Sequence, residues 1–186
     1  PVTFEENRTV GPSLGRDSIQ KGKMSIMIGF AAVILFMFLY YGTGGLVANI
    51  ALFLNIVFIM AGMATFGAIL TFPGIAGIVL TIGMAVDANV IIFERIKEEM
   101  RLGKVITDAI DNGYKKAWSA IFDANITTAM AAFILWEFGT GPIKGFAITL
   151  LLGIISSMFT AIYVTRILFN YLSKLGMSRF SLWQKN

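Results

Sequence analysis

Five apolar runs dominate this sequence: residues 22–41, 46–71, 74–95, 118–137 and 143–169. A helix rises 1.5 Å per residue, so about twenty residues are needed to cross a hydrocarbon core of about 30 Å. Each run is long enough. Only helices and closed barrels satisfy every backbone polar group inside lipid, and runs of this length read as helices. With 56% hydrophobic residues in a chain of 186, a soluble core has no room for them. The expected fold is therefore an all-α integral membrane protein, a five-helix transmembrane bundle.

The segments between the runs fit that plan. Residues 1–21 are polar and turn-rich, with Gly11-Pro12 as a turn signal, and read as the end of an external domain and its connector. Pro1 is not an initiator residue, so the chain reads as a piece of a longer protein. Gly42-Thr43-Gly44-Gly45 reads as a tight turn, Pro73 as the break between the second and third runs, and Phe138–Pro142 as another turn. In the second run Asn55 and Gly62, seven residues apart, share a face suited to close helix packing. Residues 96–117 form the one sizeable polar loop. Within it Val105, Ile106, Ala109 and Ile110 recur at helical spacing, which predicts a short amphipathic helix on the membrane surface. Residues 172–186 read as a basic, aromatic cytoplasmic tail.

Charge sets the expected orientation. Arg95, Lys97, Arg101, Lys104, Lys115 and Lys116 crowd into the loop 95–117, and the tail from Arg166 holds four more, Arg166, Lys174, Arg179 and Lys185. By the positive-inside rule both segments are cytoplasmic and the N-terminus is outside, against the placement of Lys21 and Lys23. This pattern also accounts for the net charge of +4 without invoking nucleic acid.

The chemistry is narrowed by what the sequence lacks. It has no Cys and no His, which removes thiolate and imidazole metal ligands, disulfides and His-based triads. No G-x-x-x-x-G-K-[ST] motif is present, so nucleotide hydrolysis by that route is excluded. No cofactor is expected. What remains is two aspartates inside apolar runs, Asp87 and Asp123. A carboxylate at mid-membrane costs about 2.5–3.5 kcal/mol on insertion scales, so function is the default explanation for it.

Asp87 lies seven residues before Glu94, and Asp123 seven after Lys116. Both aspartates therefore sit about 10 Å inside the same boundary. Gly77, Thr81, Ala85 and Asn89 on the third run and Ala120, Ala124, Thr128 and Ala132 on the fourth make small-residue rows that favour close approach. Packed together, the two helices would bring the carboxylates to one level, suited to carrying protons. Glu94 and Arg95 read as interfacial anchors. A structural hydrogen-bonding role is the competing reading, stronger for Asp123 beside Ser119, Asn125 and Thr127. An aspartyl intramembrane protease would use two such aspartates, but its usual GxGD core is replaced here by Gly83-Met-Ala-Val before Asp87.

The block GMAVDANVIIFERIKEE (83–99) resembles the signature of the SecD family, membrane subunits of the bacterial SecDF protein-export complex. RTVGPSLGRDSIQKG (8–22), FPGIAGIVLTIGMAVDAN (72–89), DANITT (123–128) and FGTGPIKGFAITLLLGIISSMFTAIYVTR (138–166) resemble it too, in family order. The resemblance implies the C-terminal membrane half of such a subunit, one half of a pseudo-symmetric membrane domain similar to the RND transporters. It implies SecF as the other half, the Sec translocon channel and an exported polypeptide as further partners, and the bacterial inner membrane as location. It implies a non-enzymatic role, coupling the proton-motive force to export. Asp87 would carry the proton, supported by Asn89 of its own block. Asp123, Asn125, Thr127 and Thr128 would follow from the DANITT block. The resemblance also implies an arginine from SecF as the counter-charge, and the absence of an arginine deep in any span here agrees with that division. The rival reading is a non-conducting scaffold for the translocon.

Overall fold

The computed structural model describes residues 12–174, with side chains from residue 20. The outermost parts of the expected external connector and of the expected cytoplasmic tail lie outside the described residues. The described chain is a bundle of five long helical segments: α1 (Pro12–Tyr41), α2 (Thr43–Thr65), α3 (Phe72–Arg101), α4 (Ile106–Phe138), and α5 (Pro142–Phe159), which continues through a π-helical turn (Thr160–Val164) into α6 (Thr165–Lys174). All five are long and apolar enough to cross a membrane. The five-helix all-α architecture expected above is what the chain adopts, and it is a multi-pass membrane protein.

Several boundaries move, each for a local reason. The connector is not irregular throughout: from Pro12, the first described residue, the chain is already helical as part of α1. Of the glycine-rich segment after α1, only Gly42 turns, at φ 55°; Thr43, Gly44 and Gly45 already belong to α2. Gly45 must be glycine because a Cβ there would strike the Met37 carbonyl of α1.

The second span ends at Thr65, six residues short of expectation. Gly67 takes φ 60°, its N–H bonds the Ala64 carbonyl, and the Ala68 N–H reaches back to Met63. This is a Schellman closure, and glycine is the residue that tolerates its left-handed position. The apolar letters after Gly67 hid the stop. The α3 helix then starts under a Thr71 cap, whose hydroxyl accepts the Gly74 N–H at 3.1 Å.

The amphipathic surface helix does not form as a separate element. The α3 helix runs on to Arg101 and turns through Gly103 at φ 81°. From Ile106, α4 is unbroken to Phe138. The turn is another Schellman closure, with Gly103 N–H on Met100 and Lys104 N–H on Glu99. Ala109 and Ile110 are fully buried, packed with Ile92 and Ile96 of α3 rather than laid on lipid. Gly113 permits this, since a Cβ there would lie 2.9 Å from the Ile96 nitrogen.

Helix α3 is the hub, touching α1, α2, α4 and α5. Its small-residue row faces α5 rather than α4. A side chain at Gly77 would meet Thr149, and one at Gly153 would meet Thr81, its Cβ only 2.8 Å from that of Thr81. Matching steps of four along both helices make them parallel neighbours at close range. Small residues drive such packing in lipid, where lipid tails compete equally for larger apolar side chains. The largest buried cluster gathers at the α3–α4 turn end, where the Phe93 ring meets Tyr41 (5.3 Å) and Phe169 (5.4 Å) edge-on.

Candidate ion-translocation site

Fifteen residues of α3 precede Asp87 and fourteen follow it, so the carboxylate stands at the helix midpoint. It opens onto a groove of about 90 Å³ between α3 and α4, large enough for a few waters. Met84, Ala88 and Ile91 of α3 line it with Ile121, Ala124, Asn125 and Thr128 of α4. The walls are apolar, and Asp87 brings the one charged group. Asp87 has no ion pair among the described residues, although Asp87 is exposed on this chain.

Asn125 faces the same groove and is buried. Its amide nitrogen donates to the Ile121 carbonyl at 2.7 Å, while its Oδ1 finds no donor. A buried acceptor left alone costs about 1–3 kcal/mol, so a water or a protonated carboxyl is the natural complement. Thr128 spends its hydroxyl proton on the Ala124 carbonyl at 3.0 Å and offers the groove a lone pair.

The other predicted residues lie elsewhere. Asp123 is exposed on α4 and does not line the groove, so the two carboxylates do not share a pocket. The expected α3–α4 contact through two matching small-residue rows fails because α3 gives its row to α5. Thr127 donates to the Asp123 carbonyl at 3.0 Å and is exposed. Asn89 is buried on α3, bonded to the Ala85 carbonyl at 3.0 Å, with its Oδ1 unpartnered, and is not in the groove lining. Glu94 accepts from Lys97 (2.9 Å) and from the Tyr41 hydroxyl (3.2 Å), tying the end of α1 to α3. Arg95 pairs with Glu98 at 2.8 Å on the surface.

Around the groove one side of α3 and one side of α4 stay exposed among the described residues, although the outer end of the α3 side, at Phe72 and Ala76, lies beside Gly22 of α1. Phe72, Ala76, Leu80, Gly83 and Asp87 recur on one exposed side of α3, and Ala120, Ala124, Thr127 and Ala131 on one exposed side of α4. Small residues on a lipid-depth helix face suit another helix better than they suit lipid.

Sequence reasoning missed Glu99. It is wholly buried and holds Lys104 and Lys116, each at 2.5 Å, across the α3–α4 turn. The signal was its register: Glu99 follows Ile92 and Ile96 by seven and three residues on the buried face of α3. Two lysines counted as loop charge are thus ligands of a buried carboxylate.

The sequence of residues 2–175 matches the family model "Protein export membrane protein SecD/SecF, C-terminal". The chain belongs to that SecD/SecF family. It is 59% identical over 172 residues to protein translocase subunit SecD of Syntrophobacter fumaroxidans, covering 92% of this chain and 32% of that protein. Against SecD of Rhodothermus marinus it is 62% identical, covering 92% and 28%. The chain thus spans about a third of the length of these SecD relatives. Among solved structures, SecDF of Thermus thermophilus, described as a translocon-associated membrane protein, superimposes with a TM-score of 0.86 at 45% identity over 90% of this chain and 23% of that one. A structure of SecDF in a super-membrane-facing form gives 0.84 at 45% identity, covering 89% of this chain and 23% of that one.

Proposed function

We propose that this chain is the SecD-type half of a membrane motor that couples proton flow to protein export across the bacterial cytoplasmic membrane, with its N-terminus outside and its C-terminus in the cytoplasm. The observation that carries the reading is Asp87, a carboxylate with no ion pair among the described residues, at the midpoint of α3 within its apolar stretch, opening on a polar-tipped groove and standing on an exposed side of the helix. An unpaired intramembrane charge is stable only if something outside the chain completes it.

The complement is the SecF half, set against the exposed sides of α3 and α4 and supplying a cation to Asp87. Protonation of Asp87 removes its attraction for that cation, and the halves then rock about the site, as in transporters built from paired repeats. Waters in the groove, held by Asn125 and Thr128, relay the proton toward the α3–α4 turn, with Asp123 and the Glu94/Arg95 end beside the exit. Asn89 and Thr127 support the helices without touching the ion. A potential of 100 mV is worth about 2.3 kcal/mol per elementary charge, enough to bias the cycle. The translocon channel and an exported polypeptide would be engaged through parts of the protein beyond this segment. Only protons are transferred in this cycle and no covalent bond of the exported chain changes, so the role is not enzymatic.

The test is ion current through the intact protein reconstituted with its SecF half. Asp87→Asn is expected to abolish current while the complex still assembles. Unchanged current would leave Asp87 a structural residue and favour a scaffold for the translocon.

A further inference from the structure

At the α3–α4 turn end, away from Asp87, α4 and the α5–α6 junction diverge around a second groove of about 310 Å³. Tyr114, Lys115 and Trp118 line it from α4, and Ile162, Tyr163 and Arg166 from the π-helical turn and the start of α6. We infer that this groove binds one anionic phospholipid, its phosphate between Lys115 and Arg166 and an acyl chain along Trp118 and Tyr163.

The groove is built rather than incidental. In the π turn the Thr165 N–H bonds the Thr160 carbonyl, passing over that of Ala161. The Thr165 hydroxyl donates to the Ala161 carbonyl instead, so it can only accept from the buried Tyr114 hydroxyl, 2.6 Å away. This bond pins α6 to α4 and fixes both walls. A π turn re-aims the residues after it, and such turns concentrate at functional sites.

Its chemistry is divided by depth as a lipid requires. Trp118 stacks on Phe122 (5.9 Å) along α4, and Tyr163 lies against Phe159 (5.7 Å) along α5. All four rings are exposed, forming two aromatic rails that run from the groove toward the apolar zone. Tryptophan and tyrosine favour the headgroup level of a bilayer. Beside them stand two cations. Lys115 is exposed with no ion pair among the described residues, and Arg166 lies 5.9 Å from the Tyr114 ring. Basic pockets between membrane helices are suited to anionic headgroups.

One group opposes the anion. Asp111 accepts from Arg166 at 2.8 Å, both side chains half-exposed, and so competes for half of the site. Lys116, the next residue, is already committed to Glu99. This competition gives the test its sign.

The intact protein, purified in detergent, is titrated with phosphatidylglycerol or phosphatidylcholine, and retained lipid is counted by native mass spectrometry. One phosphatidylglycerol is expected to be held in preference to phosphatidylcholine. Lys115→Gln should weaken it about fivefold, the worth of one basic charge at an anionic surface. Asp111→Asn should tighten it by freeing Arg166. Equal retention of both lipids, or weakening by Asp111→Asn as well as by Lys115→Gln, would overturn the proposal and make Asp111–Arg166 a strut. Displacement by glycerol phosphate alone would also overturn it, marking the groove as a site for soluble phosphates.

Discussion

Single residues in this chain are defined by what they are denied. Among the described residues Asp87 has a carboxylate and no ion pair, and Asn125 has a buried oxygen and no donor, and the same groove takes both. A hydrogen bond to a charged or reacting group is worth about 1.5–3 kcal/mol, roughly ten- to a hundredfold in a rate that depends on it. Asn125→Leu, which keeps the branched side-chain shape and removes the acceptor, should therefore cut proton current in the reconstituted complex by about tenfold, with assembly unaffected. Wild-type current in this variant would remove Asn125 from the pathway. Glu99 is the converse case, a buried charge with two partners, and its role is to hold the α3–α4 turn.

Helices in this bundle are placed by absent side chains. Where α3 meets α5, Gly77 and Gly153 let Thr149 and Thr81 approach the opposing backbone. Overpacking such a contact typically costs about 1–3 kcal/mol. Gly153→Val should lower the thermal unfolding midpoint measured in detergent, and Thr81→Ala in the same chain should restore part of the loss. Equal loss in the single and double variants would mean that Thr81 is not the obstruction. The continuous α4 follows from the same economy, because Gly113 lets the start of that helix rest on Ile96 and so makes it part of the bundle.

At the scale of the whole molecule the bundle is one-sided. Its central helix touches α5, α4, α2 and α1, yet among the described residues it keeps the stripe of Leu80, Gly83 and Asp87 exposed. Gly83 lies in that stripe with nothing within 4 Å of where its Cβ would be. Gly83→Trp is accordingly expected to leave the unfolding midpoint of this half unchanged while abolishing co-purification with the SecF half. A variant that still co-purified at wild-type yield would place the partner elsewhere. The contrast with Gly153→Val, which harms the half itself, separates interior from interface.

Much was legible from the letters alone. Hydrophobic length specified five crossing helices, because an unsatisfied backbone in lipid leaves no other solution. The cost of a buried charge singled out Asp87, and the run of matching blocks pointed to the family. What the letters could not settle was partnership. The row from Gly77 to Asn89 suits either neighbour, and α5 takes it because its own Thr149 and Gly153 interlock with Gly77 and Thr81. Gly67 stops α2 through a closure of backbone bonds that hydropathy does not register. Glu99 reads as solvated in a charged run, yet it is interior, since helix rotation and two distant lysines decide its surroundings. Periodicity along one chain sets which residues share a face; only the packed bundle decides what that face meets.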